Sequence, residues 1–153
     1  MYWVGSLKKK QIKKNKIGFR LVRPSNFNEG GVEHTDSYSK YHDSFVTIWI
    51  PLVGFDSKYT LRYSKKSHLI EHPKVKQVKQ KKYISKALDK KYIKKFKFIR
   101  PKMQIGDAII HHPNILHGAS PNLGKVTRVS IEIRIFNTDK YKKSQLFNKS
   151  YYY

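Results

Sequence analysis

The 153-residue chain contains no cysteine, which removes disulfide frameworks and every metal site built on thiolates. Acidic residues are scarce as well, with 10 Asp and Glu against 33 Lys and Arg, a formal net charge of +23. Any carboxylate with a chemical task must therefore come from a short list. No apolar run approaches the roughly 20 residues of a membrane-spanning helix. The opening MYWVGSL is too short for a secretory core and has its charges after it rather than before. A cytoplasmic location, with no membrane partner, is the expectation. What the chain does have, 39% hydrophobic and 14% aromatic residues, suits one domain with a single core.

The positive charge invites a polyanion reading, because polybasic surfaces bind phosphates with release of counterions. Lys, Ile, Asn and Tyr are abundant together, however, as an AT-rich coding sequence produces, and lysines mostly cover solvated faces. Nucleic acid is thus the weaker partner reading. Residues 1–16 form a basic arm. Residues 65–102 hold 15 Lys or Arg against only Glu71 and Asp89. Within them Tyr83, Ala87, Leu88 and Tyr92 recur at helical spacing, which predicts an inserted loop and amphipathic helix. A solvated helix with one apolar stripe is preferred over a basic lid that recruits an anionic substrate. Residues 137–153 show no periodicity and read as an extended tail.

Elsewhere the signals are those of short strands: 17–22, 44–53, 59–63, 102–105 and 108–112, with turn residues between them. The strongest stretch is Gly106 to Phe136. Its two β-type runs flank Pro121-Asn122-Leu123-Gly124 and read as a hairpin. Residues 128 to 135 alternate strictly, with Arg128, Ser130, Glu132 and Arg134 on one face and Val129, Ile131, Ile133 and Ile135 on the other. A hairpin centred between Asn122 and Leu123 pairs 117 with 128, placing His117 and Arg128 side by side with Cβ atoms roughly 5 Å apart.

Upstream, His34-Thr35-Asp36 puts two further ligand types on one strand face, Cα atoms about 6.6 Å apart. Two histidines and one carboxylate that leave coordination positions open form the facial triad of non-haem Fe(II) chemistry. The fork of Arg128 suits a carboxylate held bidentately, and Ser130 can donate to the same group. His111 and His112 compete with His117 for the distal ligand position. Spacing favours His117, which alone lies opposite Arg128 across the turn. One of the other two should face the interior. Thr47 and Trp49 share a strand face that can line a cavity, and with Tyr38 they are candidates to meet a substrate.

From His34, Asp36, His117 and Arg128 outward, the chain resembles the Fe(II)/2-oxoglutarate-dependent dioxygenases, within them the phytanoyl-CoA dioxygenase-like branch. Supporting text is Trp49-Ile50-Pro51-Leu52, Ser67-His68, Gly106-Asp107 and Thr127-Arg128-Val129-Ser130. The resemblance covers roughly residues 31 to 136. It implies a mainly all-β double-stranded β-helix, a jelly roll of cupin type, carrying the basic insertion. It also implies Fe(II) on His34, Asp36 and His117, and 2-oxoglutarate on Arg128 and Ser130. The implied reaction uses O2 to hydroxylate a small organic substrate, neutral or anionic (acyl, sugar or secondary-metabolite type), releasing succinate and CO2. Only 33 residues precede His34, so the helical layer that normally covers the apolar sheet face looks shortened or missing. A homo-oligomer is one way to cover that face. A non-catalytic cupin-like binding protein and a basic nucleic-acid-binding barrel remain the alternatives.

Overall fold

The computed structural model describes residues 16–25, 32–37, 45–56, 58–73, 76–80 and 83–136. Nearly all of the basic arm, Tyr38, Lys81, Lys82 and the tail 137–153 lie outside the described residues. Nine strands are assigned: β1 (Lys16–Val22), β2 (Phe45–Val53), β3 (Arg62–Ser64), β4 (Lys76–Gln80), β5 (Tyr83–Ala87), β6 (Phe98–Ile99), β7 (Ile109–His111), β8 (His117–Gly118) and β9 (Arg128–Phe136). Ser67–Leu69 form a 3-10 turn, and a short α-helix, α1 (Lys90–Ile93), starts where the Asp89 side chain accepts a hydrogen bond from the Lys91 amide.

The strands form a four-stranded sheet in the order β1-β9-β2-β7, a three-stranded sheet β6-β3-β8 and the separate hairpin β4-β5. A bridge between His34 and His117 lengthens the smaller sheet by one more segment. Trp49 of β2, Leu61 and Tyr63 at β3, and Ala119 after β8 share one buried cluster, so the two sheets pack face to face. Phe55, Met103, Ile109 and Ile115 close around it. This is the double-stranded β-helix expected from the sequence.

Strict alternation along β9 puts Arg128 and Ser130 inside, fully buried. Burying polar groups is costly unless something pairs with them, so this interior calls for a partner to Arg128 and Ser130. The outward face is apolar. Ile17, Phe19 and Leu21 of β1 are 62%, 67% and 62% exposed, and Ile110 of β7 is 68% exposed. They sit in register with Ile133, Ile131 and Val129 of β9 and with Ile48 of β2. Hydrocarbon that would normally be buried thus coats one side of the larger sheet.

β2 carries a register shift between Pro51 and Val53, a bulge at a residue that lacks an amide donor. The chain then turns through Gly54, whose φ is +62°, where a Cβ would collide with the Thr127 carbonyl. Only glycine combines that dihedral with that approach.

Three expectations are corrected. The pairing of His117 with Arg128 does not exist: His117 pairs with Tyr63 of β3, whereas Arg128 pairs with Val22 of β1. Between them the chain crosses from one sheet to the other. Asn122 holds the crossing, its Nδ2 donating to the carbonyls of Val22 (2.9 Å) and Val126 (2.8 Å), and its Oδ1 accepting from the Gly124 amide (3.1 Å). A side chain spent on three backbone groups makes a crossover, not a two-residue hairpin turn. The helix expected over 83–92 is instead β5 and the short α1. Antiparallel pairing of Tyr83 to Ala87 with Gln80 to Lys76 satisfies the backbone without a helix. Residues 102–105 form no strand, and the chain joins β3 earlier, at Phe98–Ile99.

Candidate metal centre

His34 and His117 exchange backbone hydrogen bonds, 2.9 Å from the His34 amide to the His117 carbonyl and 3.0 Å in return. That two-way bond brings their rings to 4.4 Å between centroids. Asp36 follows, its amide 2.7 Å from the Pro113 carbonyl, so its backbone is tied to the loop that leads into His117. The ligand atoms of His34, Asp36 and His117 lie within 4.8 Å of one another. Asp36 Oδ1 is 3.8 Å from His34 Nε2 and 4.0 Å from His117 Nε2.

Proton placement follows from the outer contacts. Nδ1 of His34 lies 2.6 Å from the Val32 carbonyl and Nδ1 of His117 lies 3.0 Å from the Ile115 carbonyl. A carbonyl only accepts, so each Nδ1 carries the proton and each neutral ring turns a bare Nε2 toward Asp36. Burial, then the neighbouring His117, pushes the His34 pKa down to about 4 against the pull of Asp36. Burial lowers His117 in the same way. Burial would push Asp36 up, but His117, Arg134 and His34 outweigh it and hold the carboxyl well below its ordinary range. Two neutral imidazoles and an ionised carboxylate are the donor set a divalent cation needs.

The Asp36 side chain is gripped at both oxygens. Thr47 Oγ1 donates to Oδ2 at 2.9 Å, and Arg134 Nη2 donates to Oδ1 at 3.0 Å. Thr47, a candidate substrate contact from sequence, therefore touches the candidate ligand. Trp49, another such candidate, is a core residue, 1% exposed, whose Nε1 finds no partner among the described residues. His111 is the neighbouring histidine that faces inward, 4.7 Å from the His117 ring, with burial lowering its pKa. Tyr63 stacks on His117 at 5.9 Å, and burial together with Asp36 raises its phenol pKa.

Arg128 is 1% exposed, and its Nη1 donates to the Tyr59 carbonyl. No carboxylate pairs with it among the described residues, and its Nε has no partner. Burial, then the like charge of Arg20, pushes its pKa down to about 10. Also buried, with no hydrogen-bond partner among the described residues, are Ser130 Oγ, Thr60 Oγ1 and Tyr63 Oη. An isolated buried cation is unfavourable by itself, and donors left without acceptors beside it fit an anionic, oxygen-rich ligand.

Glu132 and Arg134 escaped the sequence reading. Arg134 touches Asp36 and Glu132, and Glu132 also accepts from Arg20 Nη2 at 3.3 Å. Their only signal was membership of the polar face that already held Arg128 and Ser130. No helix among the described residues is long and apolar enough to cross a membrane.

Several solved structures share this architecture. EvdO2 from Micromonospora carbonacea var. aurantiaca, complexed with 2-oxoglutarate, aligns at a TM-score of 0.60 and 16% identity over 79% of this chain and 50% of its own. The epimerase SnoN in complex with Fe3+, alpha ketoglutarate and nogalamycin RO gives 0.58 and 16% over 79% and 48%. The carbocyclase SnoK from nogalamycin biosynthesis, non-haem and alpha ketoglutarate dependent, gives 0.60 and 15% over 79% and 48%. The chain thus spans half or less of the length of these structures. No curated protein matches its sequence. The sequence model of phytanoyl-CoA dioxygenase (PhyH) matches residues 8–130, a span that takes in the three converging ligands, the buried arginine and Ser130. The chain belongs to the phytanoyl-CoA dioxygenase (PhyH) family.

Proposed function

We propose that residues 1–153 are a single catalytic core of an Fe(II)- and 2-oxoglutarate-dependent dioxygenase that hydroxylates a small organic substrate. The convergence of His34 Nε2, His117 Nε2 and an ionised Asp36 within 4.8 Å carries this reading. In it these three residues hold Fe(II), and the 2-oxoglutarate carboxylate remote from the iron pairs with Arg128 and Ser130. The iron supplies O2 activation coupled to loss of CO2 from the keto acid, leaving succinate.

The chain's own residues do the rest. Val32 and Ile115 carbonyls orient the two rings, Thr47 and Arg134 fix the carboxylate, and Arg128 offers a charge-assisted pair that only an anion can complete. Trp49, Leu61 and Tyr63 form a buried apolar cluster, with Tyr63 stacked on the His117 ring. A metal and an anchored keto acid are then oriented with respect to one another before any substrate arrives.

Anaerobic addition of Fe(II) and then 2-oxoglutarate to the full chain should produce a visible absorption band of the chelated keto acid, and succinate should accumulate once air is admitted. Neither band nor succinate would leave a binding-only barrel as the better reading.

A further inference from the structure

Arg134 Nη2 carries two hydrogens and gives them to two carboxylates, Asp36 Oδ1 at 3.0 Å and Glu132 Oε1 at 2.8 Å. Its guanidinium lies 5.7 Å from the Phe45 ring centroid, which holds the planar group from another side. Across the strands Arg134 pairs with Thr47, the residue that takes the other oxygen of Asp36. Glu132 is kept ionised in turn by Arg20 at 3.3 Å. The result is a row of alternating charges, Asp36, Arg134, Glu132, Arg20, with its first member 3% exposed.

The oxygen that Arg134 occupies is the one that faces both histidine Nε2 atoms. At 3.0 Å the guanidinium sets a full positive charge against that oxygen. Resting on the metal reading given above, we propose that Arg134 is the resident counter-cation of the metal site. Its charge sits against Asp36 Oδ1 before a metal arrives, in the electrostatic place a metal would take, and Glu132 holds that charge in check when one does. Arg134 is therefore not a ligand but the charge a metal must work against at Asp36, and Glu132 tempers it.

A divalent ion at these ligands places two more positive charges beside the guanidinium, so Arg134 opposes metal binding while Glu132 favours it. The two neighbours on one strand face should shift metal affinity in opposite directions. Damage to the fold cannot imitate that pattern, since it weakens binding whichever residue is changed.

The probe is Co(II) alone, titrated into the full chain without keto acid and followed by its visible d–d bands and by thermal unfolding. By charge alone, Arg134→Gln should tighten Co(II) binding by roughly tenfold, and Glu132→Gln should weaken it by a similar factor. Arg134→Lys, which keeps the charge, should stay near the unaltered chain. Arg134→Gln should also lower the unfolding temperature of the metal-free protein more than that of the Co(II)-loaded protein, so that metal-induced stabilisation grows. If this variant folds only with Co(II) present, that dependence is the expected effect in its strongest form, and Glu132→Gln supplies the affinity comparison. Unchanged or weaker Co(II) binding in Arg134→Gln, or unchanged or tighter binding in Glu132→Gln, overturns the inference and leaves the metal site standing. Failure of the unaltered chain to bind Co(II) overturns the site and the inference together.

Discussion

Replacing Arg128 with methionine separates a ligand-binding arginine from a structural one, because the two roles shift stability and affinity differently. The guanidinium is 1% exposed, and its partner is the Tyr59 carbonyl. Its loss removes one hydrogen bond, about 1 kcal/mol, and at the same time removes a buried charge with no carboxylate beside it among the described residues. The flexible Met side chain fills much of the same volume. Stability of the protein without keto acid should stay within about 1 kcal/mol of the original, or rise. Affinity for 2-oxoglutarate should fall sharply, since a charge-assisted pair contributes about 1.5–3 kcal/mol, one to two orders of magnitude in Kd. The assay is anaerobic calorimetric titration of 2-oxoglutarate into Fe(II)-loaded protein, with chemical unfolding measured in parallel. Unchanged 2-oxoglutarate affinity combined with a stability loss above about 3 kcal/mol would refute the reasoning and make Arg128 a strut.

Three further outcomes are expected. Asp36→Asn and His117→Ala should each abolish stoichiometric Fe(II) binding, checked by metal analysis after gel filtration, whereas Ser130→Ala should keep the iron and weaken 2-oxoglutarate binding by less than tenfold. Because the folded pKa of His34 lies near 4 against an ordinary 6.5, the unfolded chain binds more protons between those values. Stability without metal should then be full above about pH 6.5 and fall as pH drops toward 4, by at most about 3 kcal/mol for this group. His111 and His117 are shifted in the same direction, and His34→Gln should flatten the profile measured by urea unfolding. Finally, Phe19→Lys with Ile110→Lys should change stability little while reducing any self-association through the apolar sheet face, read by sedimentation; unchanged association would place the contact elsewhere.

The sequence by itself determined the class of fold and the chemical inventory of the site. Alternation along 128–135 needs only the pleat of a strand to sort Arg128, Ser130, Glu132 and Arg134 from the isoleucines, and His34-x-Asp36 needs only local geometry to share a face. The absence of cysteine left nitrogen and oxygen donors as the chemistry available. Pairing between distant segments was not legible in this way. A run such as 76–87 satisfies its backbone equally well as helix or hairpin until competing contacts decide, and a turn such as 121–124 looks the same whether it closes a hairpin or crosses between sheets. The tertiary structure placed His117 beside His34 instead of Arg128, using Asn122 to hold the crossing. It also turned Thr47 from a cavity-lining residue into a donor to Asp36, and brought Arg134, 98 residues along the chain from Asp36, onto the same carboxylate. Contacts of that range depend on how two sheets stack, a property of all the strands together that no single stretch of sequence carries.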